Sequence, residues 1–157
     1  MRKAVIIVLL FYVVSFYLAA DKYDLLKIEA DIIPKRLSRG QEGNVELKFT
    51  VEEKISISSQ PSFIIEIEPS AILAFSKDFF TASDLGIKVK EQDGKEYLDL
   101  SDPVKVPFTV KPEAERGNHV IKGRVMYFAC SMEEEWCLKD EKGFSATFYT
   151  SRRSADE

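Results

Sequence analysis

The chain has 157 residues, 45% apolar and 11% aromatic, with two cysteines, one histidine and a formal net charge of −4 at pH 7. Such a composition is that of a single globular domain and is too apolar for a disordered chain. Twenty-two basic residues against 26 acidic ones leave no cationic excess for nucleic acid, and two cysteines are too few for a disulfide framework or a four-thiolate zinc site. The single histidine, His119, excludes a multi-histidine metal centre, and no cofactor or metal is expected.

The chain opens with a basic start, Met1-Arg2-Lys3, followed by an almost unbroken apolar run from Ala4 to Leu18 and the small pair Ala19-Ala20. Residues 1–20 therefore read as a secretory signal, the other reading being an uncleaved anchor, with no further membrane span. Export from the cytoplasm is expected, to the periplasm or an equivalent compartment where disulfides persist. The domain proper is expected over 21–150, with a polar, frayed tail over 151–157.

From there the apolar residues recur with period two. Leu25 to Ile33 predicts a first strand; Val45, Leu47, Phe49 and Val51 alternate with polar residues after the turn signals Gly40 and Gly43. Phe63, Ile65 and Ile67 repeat the pattern up to Pro69, and a helix is expected only around 70–85. Ile87 and Val89 lead into an Asp93-Gly94 turn, with a short strand from Tyr97 to Leu100 after it. Val104, Val106, Phe108 and Val110 form another set in which Pro107 suits an edge strand. The stretches Ile121 to Cys130 and Phe144 to Tyr149 complete about eight strands. The fold class implied is all-β, an immunoglobulin-like antiparallel β-sandwich.

Both cysteines fall in the last part of this pattern. Ile121, Gly123, Val125, Tyr127 and Ala129 share one face of a strand, and Lys122, Arg124, Met126, Phe128 and Cys130 share the other. Because unpaired Lys122 and Arg124 do not suit a core, the second face is expected to be solvent-accessible, Cys130 with it. Six residues separate Cys130 from Cys137. If they form a hairpin loop, the cysteines face each other at roughly 4.5–5.5 Å between Cα atoms, within reach of a disulfide. Such a bridge is either a structural staple, contributing about 2–3 kcal/mol by loop entropy, or an accessible bond open to a partner's thiolate. Trp136 and Phe128 offer aromatic surface beside it, while Glu133-Glu134-Glu135 would raise a thiol pKa.

The segment Gly117 to Leu138, with Tyr127, Ala129, Cys130, Cys137 and Leu138 in register, resembles the amino-terminal periplasmic domain of the thiol:disulfide interchange protein DsbD family. Phe128 stands where that family usually has glutamine, and Lys139-Asp140-Glu141-Lys142 replaces its usual prolines. The resemblance implies thiol:disulfide exchange, a protein-disulfide reductase component that relays reducing equivalents between a thioredoxin-like redox protein or domain and oxidised periplasmic substrates. It implies that Cys137 forms the mixed disulfide and Cys130 resolves it, with Tyr127, Phe128 and Trp136 beside them. It also implies a cap loop, for which Asp78-Phe79-Phe80 and Glu96-Tyr97 are the candidates. The reductant is expected to be a separate chain. The alternative is a non-enzymatic, exported immunoglobulin-like binding or assembly domain in which the disulfide is structural.

Overall fold

A computed structural model describes residues 24–151 of the chain. The predicted leader, 1–20, lies outside the described residues, as does the predicted tail apart from Ser151. Among the described residues twelve strands follow in the order β1 (Leu26–Ile33), β2 (Arg36–Ser38), β3 (Glu42–Val51), β4 (Ile55–Ile57), β5 (Ile64–Ile67), β6 (Leu73–Ala74), β7 (Phe79–Thr81), β8 (Val89–Gln92), β9 (Lys95–Leu98), β10 (Val104–Val110), β11 (Gly117–Ser131) and β12 (Trp136–Ser151). One sheet has the order β1-β3-β10-β6, and the other β2-β12-β11-β5-β7 with β4 added to the far end of β11. β8 and β9 form a separate hairpin. The fold is the all-β, immunoglobulin-like antiparallel sandwich expected from the period-two pattern.

Alternation dictates the core. Val45 and Leu47 of β3 and Val104, Val106, Phe108 and Val110 of β10 turn inward and are buried, as are Ile65 and Ile67 of β5 in the second sheet. Beside β5 in that sheet, Ile121, Val125, Tyr127 and Ala129 of β11 and Phe144, Ala146 and Phe148 of β12 are buried in the same core. Burying each large side chain contributes about 1.5–3 kcal/mol relative to exposure. Phe108 and Phe148 join the sheets through rings 6.2 Å apart. Pro107 falls where it is tolerated, because β6 pairs only with Thr109 and Val110, leaving the rest of that side of β10 open. At the β8–β9 turn both Asp93 (φ 53°) and Gly94 (φ 73°) are left-handed, the conformation that an Asp-Gly hairpin turn requires.

The expected helix over 70–85 is absent. Leu73 is drawn into a pair with Val110 of β10, and Phe80 into a pair with Ile65 of β5, so this segment crosses from one sheet to the other. Both side chains are buried by these pairings. At the start, Ser70 Oγ accepts bonds from the amides of Ile72 and Leu73, and beyond β7 the Asp84 carboxylate accepts from the Thr81 amide and hydroxyl. Two such side-chain turns compete with helix formation and win once long-range pairing supports them.

Candidate functional site

The second sheet is built around β11 and β12, which pair antiparallel from Gly117↔Thr150 to Ser131↔Trp136. Gly123 sits opposite Phe144, where an added Cβ would come 2.5 Å from the ring and 2.6 Å from the Glu66 carbonyl. Glycine is therefore required for the close approach of β5, β11 and β12. At the other end Cys130 is directly opposite Cys137, as the hairpin reading expected, and the two are joined by a disulfide with Cα atoms 4.1 Å apart. Ser131 Oγ accepts a bond from the Glu134 amide, and Glu135 turns the chain with φ at 54°.

The expected accessibility of Cys130 is corrected. Lys122 and Arg124 on its face are exposed, and Arg124 pairs with Glu66 at 2.7 Å, but Cys130 itself is only 4% exposed. The reason is β4, whose Ser56 pairs with Cys130 on the side opposite Cys137. Cys130 is thus the middle member of a three-strand ladder, whereas Cys137 is exposed. Exposure of the start of a strand face does not extend to its end when a third strand is laid alongside.

The other predicted site residues divide sharply. Tyr127 is a core residue at 1% exposure, its hydroxyl donating to Asp140 Oδ2 at 3.2 Å. Burial first, and then the charge of Asp140, push its pKa above the usual 10.0. Phe128 and Trp136 are half-buried, and Trp136 Nε1 donates to Glu134 Oε2 at 2.6 Å. Of the two cap candidates, Tyr97 comes to the cysteine end: it is buried, and its hydroxyl donates to the sulfur of Met132 in the inter-cysteine turn. Asp78 and Phe79 do not. Phe79 is opposite Glu66, whose β11 partner is Arg124, so it lies about 20 Å along the strand from Cys130 at ~3.3 Å per residue.

One feature of this end was not anticipated from the sequence. A groove of about 870 Å³ opens beside the disulfide, where the inward side of β12, the chain just ahead of β1 and the β3–β4 turn diverge. Its apolar floor is Leu25, Ile55, Trp136, Cys137 and Leu138, and Leu138 is 53% exposed. Its rim carries Asp24, Glu52, Glu53, Glu133, Glu134 and Asp140, with Lys54 as the only cation lining it among the described residues. Lys54 is paired with Glu133 at 3.0 Å, and Asp24 with Lys142. Among the described residues neither Glu52 nor Glu53 has a cationic partner, and no three His, Cys, Asp or Glu side chains converge to hold a metal ion. The run Glu52-Glu53-Lys54 between two strands was the one available signal, but nothing in the sequence brings it to Trp136.

No protein family matches the chain in sequence, and no characterised protein does so either. Solved structures similar in fold include a cohesin module from a family 33 glycoside hydrolase of Clostridium perfringens, 11% identical with a TM-score of 0.47 over 82% of this chain and 96% of that one. A type I cohesin of Pseudobacteroides cellulosolvens is 12% identical, with a TM-score of 0.46 over 83% of this chain and 96% of that one. The major subunit of aggregative adherence fimbriae from Escherichia coli is 10% identical, with a TM-score of 0.40 over 80% of this chain and 95% of that one. These likenesses are of fold alone. The expected membership of the DsbD family is corrected: no family model matches the chain, and the similar structures found are cohesin and fimbrial domains, not domains of that family. The relay of reducing equivalents and its thioredoxin-like reductant are given up with that family. The roles assigned to Cys137 and Cys130 rested on it.

Proposed function

We propose that this chain is an exported, non-enzymatic immunoglobulin-like domain that binds or assembles with a protein partner, and that the Cys130–Cys137 bridge is structural. The observation that carries the reading is the position of Cys130, 4% exposed and hydrogen-bonded into a ladder between β4 and β12. A resolving thiol needs access and a stabilised thiolate. This one has little access, and the carboxylates of Glu133, Glu134 and Asp140 gather on the side of its partner, where they disfavour a thiolate. The disulfide supports a location outside the cytoplasm, in keeping with the apolar leader, and the periplasm is one such compartment. The groove beside the bridge supports binding, because it couples an apolar floor to a charged rim.

The reduction potential of the Cys130–Cys137 pair tests the reading. A structural bridge places it below about −300 mV, and a value near about −200 mV overturns the proposal.

A further inference from the structure

We propose that the groove beside the disulfide is the docking site for a cationic protein segment, one that places an aliphatic or aromatic side chain on the Leu25, Trp136 and Leu138 floor and lysine or arginine side chains on the acidic rim. This rests on the binding reading above and names the chemistry of its partner.

The charge of the lining selects the occupant. Six carboxylates and one lysine line it; that lysine is already paired with Glu133, and Lys142 beside the lining takes up Asp24, which leaves an acidic excess. Glu52 and Glu53 are exposed on the β3–β4 turn and have no cationic partner among the described residues. Rim charges of one sign steer an oppositely charged partner and repel the rest. An anionic lipid surface is excluded by the same charges. A second copy of this chain fits poorly, because the whole sequence carries a net −4. The carboxylates are spread around the opening and no three converge on a point, so a chain of several cations matches them better than a single ion does.

The floor supplies the second half of the recognition. Leu138 is 53% exposed, and Trp136 is half-buried with its indole N–H held by Glu134, which leaves apolar surface toward the groove. A large exposed leucine next to a tryptophan is the composition of an interface anchor. A volume of about 870 Å³ admits two or three side chains of a docked segment.

Trp136 is the only tryptophan in the chain, so its fluorescence reports on the groove directly. The probe is a short acetylated, amidated peptide of alternating lysine and leucine, with a glutamate-for-lysine counterpart as control, added to the full chain. The lysine peptide is expected to saturate a shift in Trp136 emission that weakens with added salt, while the glutamate peptide gives none. The double substitution Glu52→Lys with Glu53→Lys, at exposed positions, is expected to weaken binding by about tenfold or more with an unchanged circular dichroism spectrum. Leu138→Ser is expected to weaken it as well. Absence of a response to the lysine peptide overturns the proposal, as does undiminished binding to the Glu52→Lys, Glu53→Lys chain. Self-association lost in that variant would assign the groove to a second copy and overturn it too. The potential of the disulfide is read on the same sample: a low potential without peptide binding overturns this inference alone, and a potential near about −200 mV overturns the binding reading itself.

Discussion

The two halves of β12 pair with the same strand and are held by different forces. From Phe144 to Thr150 its side chains alternate buried and exposed or half-exposed, with Phe144, Ala146 and Phe148 inserted in the core. From Trp136 to Gly143 no side chain is buried, and the positions that should face inward are Leu138, Asp140 and Lys142, opposite the buried Ala129, Tyr127 and Val125. The first half therefore lacks the apolar contribution that fixes the second, and it is fixed by its ladder to β11 and by a covalent bond at its end. A sheet can extend beyond its core when a staple takes over from burial. The surface so exposed is the floor and part of the rim of the groove.

Truncation should separate the halves most strongly. Phe144→Ala is expected to cost about 3–5 kcal/mol in chemical denaturation, whereas Leu138→Ala should stay within about 0.5 kcal/mol; similar losses for the two would break the comparison. Replacing both cysteines by serine should cost about 2–3 kcal/mol. Hydrogen exchange should then show protection lost over residues 136–143 and kept over 144–150, and uniform loss would mean that the staple serves the entire sheet. Gly123→Ala drives a methyl group into the Phe144 ring and the Glu66 carbonyl and should cost about 1–3 kcal/mol in thermal or chemical unfolding.

A smaller effect than at Phe144 is expected at Tyr127, which roots the exposed half to the core. Tyr127→Phe removes its bond to Asp140 and should cost about 1 kcal/mol at neutral pH. Its folded pKa is raised above 10.0, so the stabilisation is complete below that value and is lost as rising pH deprotonates the unfolded chain first. Stability should fall above about pH 10, and less steeply in Tyr127→Phe; equal slopes would place the hydroxyl in solvent.

Local alternation made most of the sandwich legible. Ile121, Gly123, Val125, Tyr127 and Ala129 do form one buried face, and the charged run Lys139 to Lys142 already departs from it on both faces of its strand. The pairing of Cys130 with Cys137 followed from hairpin geometry. The burial of Cys130 did not, because it depends on Ile55–Ile57, three residues whose pairing with β11 spans more than seventy positions. The helix expected over 70–85 failed for the same reason, Leu73 and Phe80 being claimed by distant strands. The groove is less legible still, since it exists only where three separate segments meet. The family resemblance drew on a few residues around the cysteines, Tyr127, Ala129, Cys130, Cys137 and Leu138, too short a match to carry a family.

The small strand β2 has a further consequence. It leaves β1 in one sheet, enters the other, and lies parallel to the end of β12, with Arg36 opposite Tyr149 and the hydroxyls of Ser38 and Ser151, 113 residues apart, at 3.3 Å. Arg36 also rests over the Tyr149 ring, 5.1 Å from its centre. One of the earliest strands therefore finds its place only after the latest has been made. Closure of so long a loop slows folding, because its entropy is lost before the contacts it permits are made. Until β12 is in place the backbone of β2 has no partner strand, so this edge of the sandwich and the burial of Leu37 are settled together, as the closing step of the second sheet.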